Sequence, residues 1–254
     1  MLNYEISGKG KETLILLHGF MENLTIWDDM VPSLSEDFQL VKVDLPGFGK
    51  SKPTVEIQTM ESMAEDVKTL VEHLDLEKFH LVGHSMGGYI SLAFAEKYPD
   101  FLKSFTLFFS TYFEDDAEKK KIREKSLRVI KENYQAYAAA GIPNLFGPEA
   151  RKLKKDKIEL AKQIAYSADI EGVLACTKGM ILRPDRKSVL ENFDGKILLL
   201  AGRFDNAVNA TKTIAELPER DNIKAYLLDC GHNGHWEKPS ICTEIINTEL
   251  LNEI

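Results

Sequence analysis

The chain has 254 residues, 44% hydrophobic and 28% charged, a balance that suits one large packed unit and excludes wholesale disorder and fibrous repeats. A net charge of −8 removes the main drive for nonspecific nucleic-acid binding, and no apolar run approaches the ~18 residues that a membrane-spanning helix needs. Cys176, Cys230 and Cys242 are odd in number and lack metal-ligand spacing, so neither a disulfide framework nor a zinc site is expected.

Met1 to Gly10 lacks the basic and apolar segments of a secretory leader, which gives a cytoplasmic expectation. Short branched apolar runs then recur with helical stretches between them, the alternation of a mostly parallel sheet wrapped by helices. The predicted strands are 3–7, Leu14–Leu17, Leu40–Asp44, Phe79–Gly83, Phe105–Phe109, Ile197–Ala201 and Ala225–Leu228. Runs such as LILL, LVKV and ILLLA suit strands covered on both faces.

The rhythm breaks between residues 111 and 189, where three helical patterns follow one another over 114–140, 149–168 and 170–182. In the first, Ile122, Leu127, Ile130 and Tyr134 have helix-compatible spacing. Residues 111–188 hold 17 Lys/Arg against 12 Asp/Glu, whereas the remainder holds 15 against 28. The basic runs KKKIREK and RKLKKDK read first as solvated helix faces; the sharper reading is a cover that attracts an anionic substrate. The expected organisation is a core of residues 1–110 and 190–254 with a helical cap over 111–189.

After the strand at Phe79–Gly83 comes Gly83-His84-Ser85-Met86-Gly87-Gly88, a G-x-S-x-G between a strand and an apolar helical run. A serine on so tight a turn has a strained backbone, and side chains two residues to either side would collide, which the glycines avoid. A serine hydroxyl needs a base, and the base needs an acid to orient it. Two later loops at strand ends supply candidates, Gly202 to Asp205 and Asp229 to His232. On the residues alone His232 and His235 both qualify as base, and Asp229 and Asp44 compete with Asp205 as acid. Asp44, in the DLPGFG turn, is better suited to bonding nearby backbone donors.

LLHGF at 16–20, DLPGFGKS at 44–51, GHSMGG at 83–88, AGRFD at 201–205 and CGHNGHWEKP at 230–239 follow one another along the whole chain outside the cap. Together they resemble the α/β-hydrolases, in the branch of small soluble esterases with a helical cap. The resemblance implies an α/β-hydrolase fold, a mostly parallel sheet flanked by helices with an all-helical cap. It implies Ser85 as nucleophile, Asp205 as acid and His232 as base, because glutamate and proline follow the histidine at Glu237 and Pro239. The backbone N–H groups of Phe20 and Met86 correspond to the oxyanion hole, with His18 shaping that loop. His84 is expected as a packed neighbour of the nucleophile and His235 as a pocket-wall or surface residue. Asn209 departs from the proline common in the family after Val208. Trp27, Leu145, Phe146, Phe204, Val208 and Trp236 are the expected pocket walls.

The implied activity is hydrolysis of a small-molecule carboxylic ester or thioester through an acyl-enzyme, a chemistry that requires neither metal nor organic cofactor. Carbon–carbon hydrolysis, lactone opening, a lyase or acyltransferase reaction, and a slow-turnover receptor are the alternatives on the same site. Substrate identity and oligomeric state are not encoded in these motifs.

Overall fold

The computed structural model describes residues 1–251; residues 252–254, the last of the predicted core segment, lie outside the described residues. Seven strands form one sheet: β1 (Tyr4–Ser7), β2 (Glu12–Leu17), β3 (Phe38–Val43), β4 (Phe79–His84), β5 (Leu102–Phe108), β6 (Lys196–Gly202) and β7 (Ile223–Leu228). Their order is β1-β3-β2-β4-β5-β6-β7, with β1 antiparallel to β3 and every other neighbouring pair parallel.

The helices explain the burial of the central strands. On the chain they are α1 (Val31–Asp37), α2 (Met60–His73), α3 (Met86–Lys97), α4 (Ala117–Gly141), α5 (Ala150–Leu153), α6 (Lys155–Tyr166), α7 (Ile170–Leu182), α8 (Lys187–Asn192), α9 (Ala210–Ala215), α10 (Gly234–Glu237) and α11 (Pro239–Leu251). Strands β2 to β6 carry runs such as LILL and ILLL whose side chains are wholly buried, as strands covered on both faces must be. Edge strand β7 instead mixes half-buried and exposed positions and buries no residue fully.

Between β5 and β6 the chain inserts α4 to α8 and no strand. Helix α4 begins at Ala117, because Asp116 caps it by accepting from the Lys119 N–H at 2.8 Å. It turns Ser126, Ile130, Tyr134 and Ala138 inward. Ile122, one turn before Ser126, is 59% exposed. It continues the four-residue stripe of Ser126, Ile130 and Tyr134 but, at its outer end, borders an open cavity in place of packed core. The second predicted helix is two, since Lys154 (φ −113°, ψ 44°) separates α5 from α6. No helix among the described residues is long and apolar enough to cross a membrane.

Candidate active site

Ser85 follows β4 directly and precedes α3 with φ 50° and ψ −111°, a left-handed conformation that costs a non-glycine residue about 1–3 kcal/mol and persists only where surroundings enforce it. The surroundings are specific. Ser85 N–H donates to Phe108 O at 3.0 Å, and the Ser110 hydroxyl donates to Ser85 O at 2.7 Å. A Cβ on Gly83 would lie 2.2 Å from Gly87 O, and one on Gly87 would lie 2.5 Å from Leu17 O, so both positions must be glycine for helix, turn and sheet to meet. Although Ser85 occupies the N-cap position of α3, its hydroxyl makes no capping bond.

Two further loops meet Ser85. His232, after β7, lines the same cavity of about 410 Å³ as Ser85. Its Nδ1–H donates to Asp205 Oδ2 at 2.7 Å. Asp205 Oδ1 also accepts from the N–H groups of Ala207 (2.7 Å) and Val208 (3.0 Å). Burial opposes ionisation of Asp205, but the His232 charge and these donors outweigh it and hold the carboxyl below the ordinary range. Burial likewise favours a neutral His232, yet the Asp205 carboxylate wins and raises the imidazole above its ordinary value. Asp205 offers only lone pairs, so Nδ1 carries the proton and Nε2 is left as an acceptor.

Alternative acids and bases sit elsewhere. Asp229 is on the surface and pairs with Arg203 at 2.7 Å. Asp44 accepts from the N–H groups of Leu24 and Lys50 and from the Asn3 amide, and so fixes its own turn. His235, expected at a wall or on the surface, is wholly buried between His84, Trp27, Phe108 and Trp236. Both its ring nitrogens lack partners among the described residues. Burial pushes it well below the ordinary imidazole range, and it stays neutral.

The oxyanion candidates are the amides of Phe20 and Met86. Met86 opens α3, so its N–H has no carbonyl one turn earlier within the helix to serve. Phe20 lies in the turn after β2 and borders the cavity. The loop is pinned by His18, whose Nε2 accepts from Leu45 N–H at 2.9 Å while its Nδ1–H donates to Gly19 O at 2.7 Å.

A strand, a tight turn and a helix N-terminus thus carry a serine to the carboxyl edge of a parallel sheet, where loops after β6 and β7 deliver an Asp–His pair. The family model described as alpha/beta hydrolase fold matches residues 12–157. The chain belongs to that family.

Among solved structures, this α/β-hydrolase-fold chain is similar to a thermophilic esterase from Thermogutta terrifontis, determined with malate bound. The two are 33% identical, with a TM-score of 0.92 over 98% of this chain and 93% of that one. It also shares its fold with an enol-lactonase from Burkholderia xenovorans LB400, at 21% identity and a TM-score of 0.89 over 99% and 96% of the two chains. A Pseudomonas putida protein described as the dihydrolipoyllysine-residue acetyltransferase component of an acetoin cleaving system is 30% identical over 200 residues. That match covers 74% of this chain and 50% of that protein. The chain spans about half, or less, of the length of the curated relatives it matches.

Several expected walls of this hydrolase-fold cavity are not walls. Leu145 lines it. Phe146 does not: it is wholly buried and stacks on Trp236, with ring centroids 6.0 Å apart and planes 1° apart. Trp27 is buried against Phe108 and His235, and Val208 is buried with its N–H on Asp205. Phe204 is 44% exposed and borders a separate open groove of about 830 Å³ with Arg203, Asp229 and Pro148. Aromatic character was a poor guide because large rings fill the core first.

Two groups bordering the cavity carry no motif. Glu22 Oε2 accepts from Gly19 N–H at 2.6 Å and faces His84 Nδ1 at 2.8 Å. From α4, Lys119, Ile122, Arg123 and Ser126 line the cavity at helical spacing. That stripe of i, i+3, i+4 and i+7 was visible in the sequence, whereas Glu22 had only its nearness to the HGF loop. The insert also touches the candidate base directly, since His232 N–H donates to Leu145 O at 2.7 Å.

Proposed function

We propose that the protein is a serine hydrolase of small carboxylic esters or thioesters, with Ser85 as nucleophile, His232 as base and Asp205 as orienting acid. The observation that carries this reading is the position of His232, which borders the cavity of Ser85 while its Nδ1–H is held by Asp205 at 2.7 Å. The uncommitted hydroxyl of Ser85 supports it further. Similarity at 33% identity to a protein described as an esterase favours the ester class.

In this mechanism Ser85 Oγ bonds to the acyl carbon as its proton passes to His232 Nε2. The N–H groups of Phe20 and Met86 receive the negative oxygen of the tetrahedral intermediate, each contributing roughly 10²–10³ in rate. Collapse breaks the bond to the leaving alcohol or thiol, which takes the proton back from His232. Water then repeats the sequence on the acylated Ser85 and releases the acid. Asp205 holds one tautomer throughout and stabilises the transient imidazolium.

A fluorophosphonate should label Ser85, and a p-nitrophenyl ester series from acetate to decanoate should show turnover. Ser85→Ala and His232→Ala should each lower kcat by at least ~10³, since triad members act as a unit. Labelling at another residue would overturn the assignment of the nucleophile.

A further inference from the structure

The cap wall of the cavity carries more positive charge than the protein neutralises. Asp115, wholly buried, accepts from Arg123 Nε at 2.5 Å and from Arg183 Nη2 at 2.8 Å, and its Oδ1 lies 3.9 Å from Lys119 Nζ. Burial opposes its ionisation, but Arg183 and Arg123 outweigh it and hold it at about 2, so one negative charge faces three cations.

Two of those cations, Lys119 and Arg123, border the cavity. Lys119 Nζ donates to Ala207 O at 2.8 Å, a neutral partner, and shares the single Asp115 carboxylate with the two arginines. Arg123 gives only its Nε to Asp115; among the described residues its two terminal nitrogens have no protein acceptor. A planar guanidinium with a free edge suits bidentate binding of a carboxylate. The carboxylate that does line the cavity, Glu22, lies 2.8 Å from Nδ1 of His84, the residue before Ser85 in the chain.

The second basic run of the insert behaves differently. Lys157 pairs with Asp29, and Lys154 borders the separate 830 Å³ groove. The surplus at the cavity is therefore a property of α4, and of two residues on one face of it.

Resting on the hydrolase reading above, we propose that the substrates are acid esters, whose non-reacting end carries a carboxylate held by Arg123 with help from Lys119. The ionised Glu22 near Ser85 repels that carboxylate and so sets the direction in which the substrate lies.

Matched esters test the proposal. Mono-p-nitrophenyl glutarate is compared with p-nitrophenyl pentanoate, placing the charge in the acyl part. 4-Carboxyphenyl butanoate is compared with phenyl butanoate, placing it in the leaving group. In at least one pair kcat/KM for the acid should exceed its neutral partner by about tenfold, the size expected of one partly buried charge-assisted contact. That ratio should fall to near one in Arg123→Gln and by a smaller factor in Lys119→Met. Binding of monomethyl glutarate to Ser85→Ala, followed by calorimetry, reads the same site without turnover and should weaken about tenfold in the Ser85→Ala, Arg123→Gln double variant.

No preference in either pair, or an unchanged ratio in Arg123→Gln with native circular dichroism, overturns the carboxylate site while Ser85 labelling keeps the hydrolase reading. If no ester turns over, the hydrolase reading fails and calorimetry alone decides the site. Should Arg123→Gln not fold, Arg123→Lys must lower the ratio, because an ammonium cannot grip a carboxylate with two parallel bonds; an unchanged ratio there overturns it too.

Discussion

Glu22 Oε2 lies 2.8 Å from His84 Nδ1, and on the far side of the ring His84 Nε2 lies 3.0 Å from the carbonyl oxygen of His232. Each ring nitrogen faces an oxygen that can accept a hydrogen bond. Because the same Glu22 oxygen accepts from Gly19 N–H, one carboxylate ties the loop before Phe20 to the backbone of His232.

Glu22→Gln should therefore act on geometry. We expect kcat for a neutral p-nitrophenyl ester to fall about ten- to a hundredfold, as small misplacements of reacting groups do, with KM changed less than threefold. Glu22→Asp should recover part of the loss. An equal fall in kcat/KM through KM alone would mean that Glu22 only shapes the cavity.

The same residue governs acid stability. Burial opposes its ionisation, but His84 outweighs it and lowers Glu22 from 4.5 to about 2. A depressed carboxyl contributes stability that is fully present above the unfolded value of 4.5 and is lost as pH falls from there toward 2. Urea midpoints measured across that window should drop steeply for the wild type and less so for Glu22→Gln; parallel curves would refute the linkage.

For the base, His232 must be neutral to accept a proton, and its value is raised above the ordinary 6.5. The acid limb of kcat/KM on a neutral ester should thus lie above pH 6.5. The strength of the Asp205 contact that moves this limb cannot be read from spacing in the sequence. Asp205→Asn removes the carboxylate and should shift the limb downward along with a large loss of rate. A limb at or below 6.5 in the wild type counts against this pairing.

Leu145 and Phe146, expected to behave alike, should part company. Leu145→Ala enlarges the cavity and should shift acyl-chain preference by more than about threefold, since each buried methylene is worth ~0.8 kcal/mol. Phe146→Ala instead empties the space beside Trp236 and should destabilise the fold by about 3–5 kcal/mol with no specific change in chain length. Thermal denaturation beside the p-nitrophenyl series separates the two.

His235 carries two buried nitrogens without partners, each of which costs about 1–3 kcal/mol of desolvation. His235→Leu should raise the melting temperature and leave Ser85 labelling within about threefold of wild type. A marked loss of stability would reveal a hydrogen bond to internal water in place of a purely apolar box.

Legibility in the sequence followed the range of the forces involved. The elbow could be read because its constraint is local: a Cβ at Gly83 or Gly87 would come within 2.2 or 2.5 Å of backbone oxygens in the turn and the adjoining strand. The strands could be read because a run such as LILL has few places to go except a doubly covered sheet. The placement of Ile122 could not, because whether that end of the stripe meets packed core or the cavity depends on how α4 docks. Nor could the burial of Phe146 or the exposure of Phe204, because which aromatic meets the cavity depends on how the insert docks. Glu22 lay beyond reach for the same reason, as its partner His84 is 62 residues away.

The bond from His232 N–H to Leu145 O gives the insert a second role beyond covering. Asn206 Nδ2 also donates to Asn144 O, and Gly147 N–H donates to Glu237, whose carboxylate in turn accepts from Gly231 N–H beside the base. Residues 144–147 are thus a splint for the His232 loop. A chimera that exchanges the insert for that of another hydrolase while discarding these four residues would inherit a new specificity surface and a misaligned base. Grafts that keep 144–147 and replace only the helices around them separate selectivity from catalysis, which makes this short segment the natural seam for redesign.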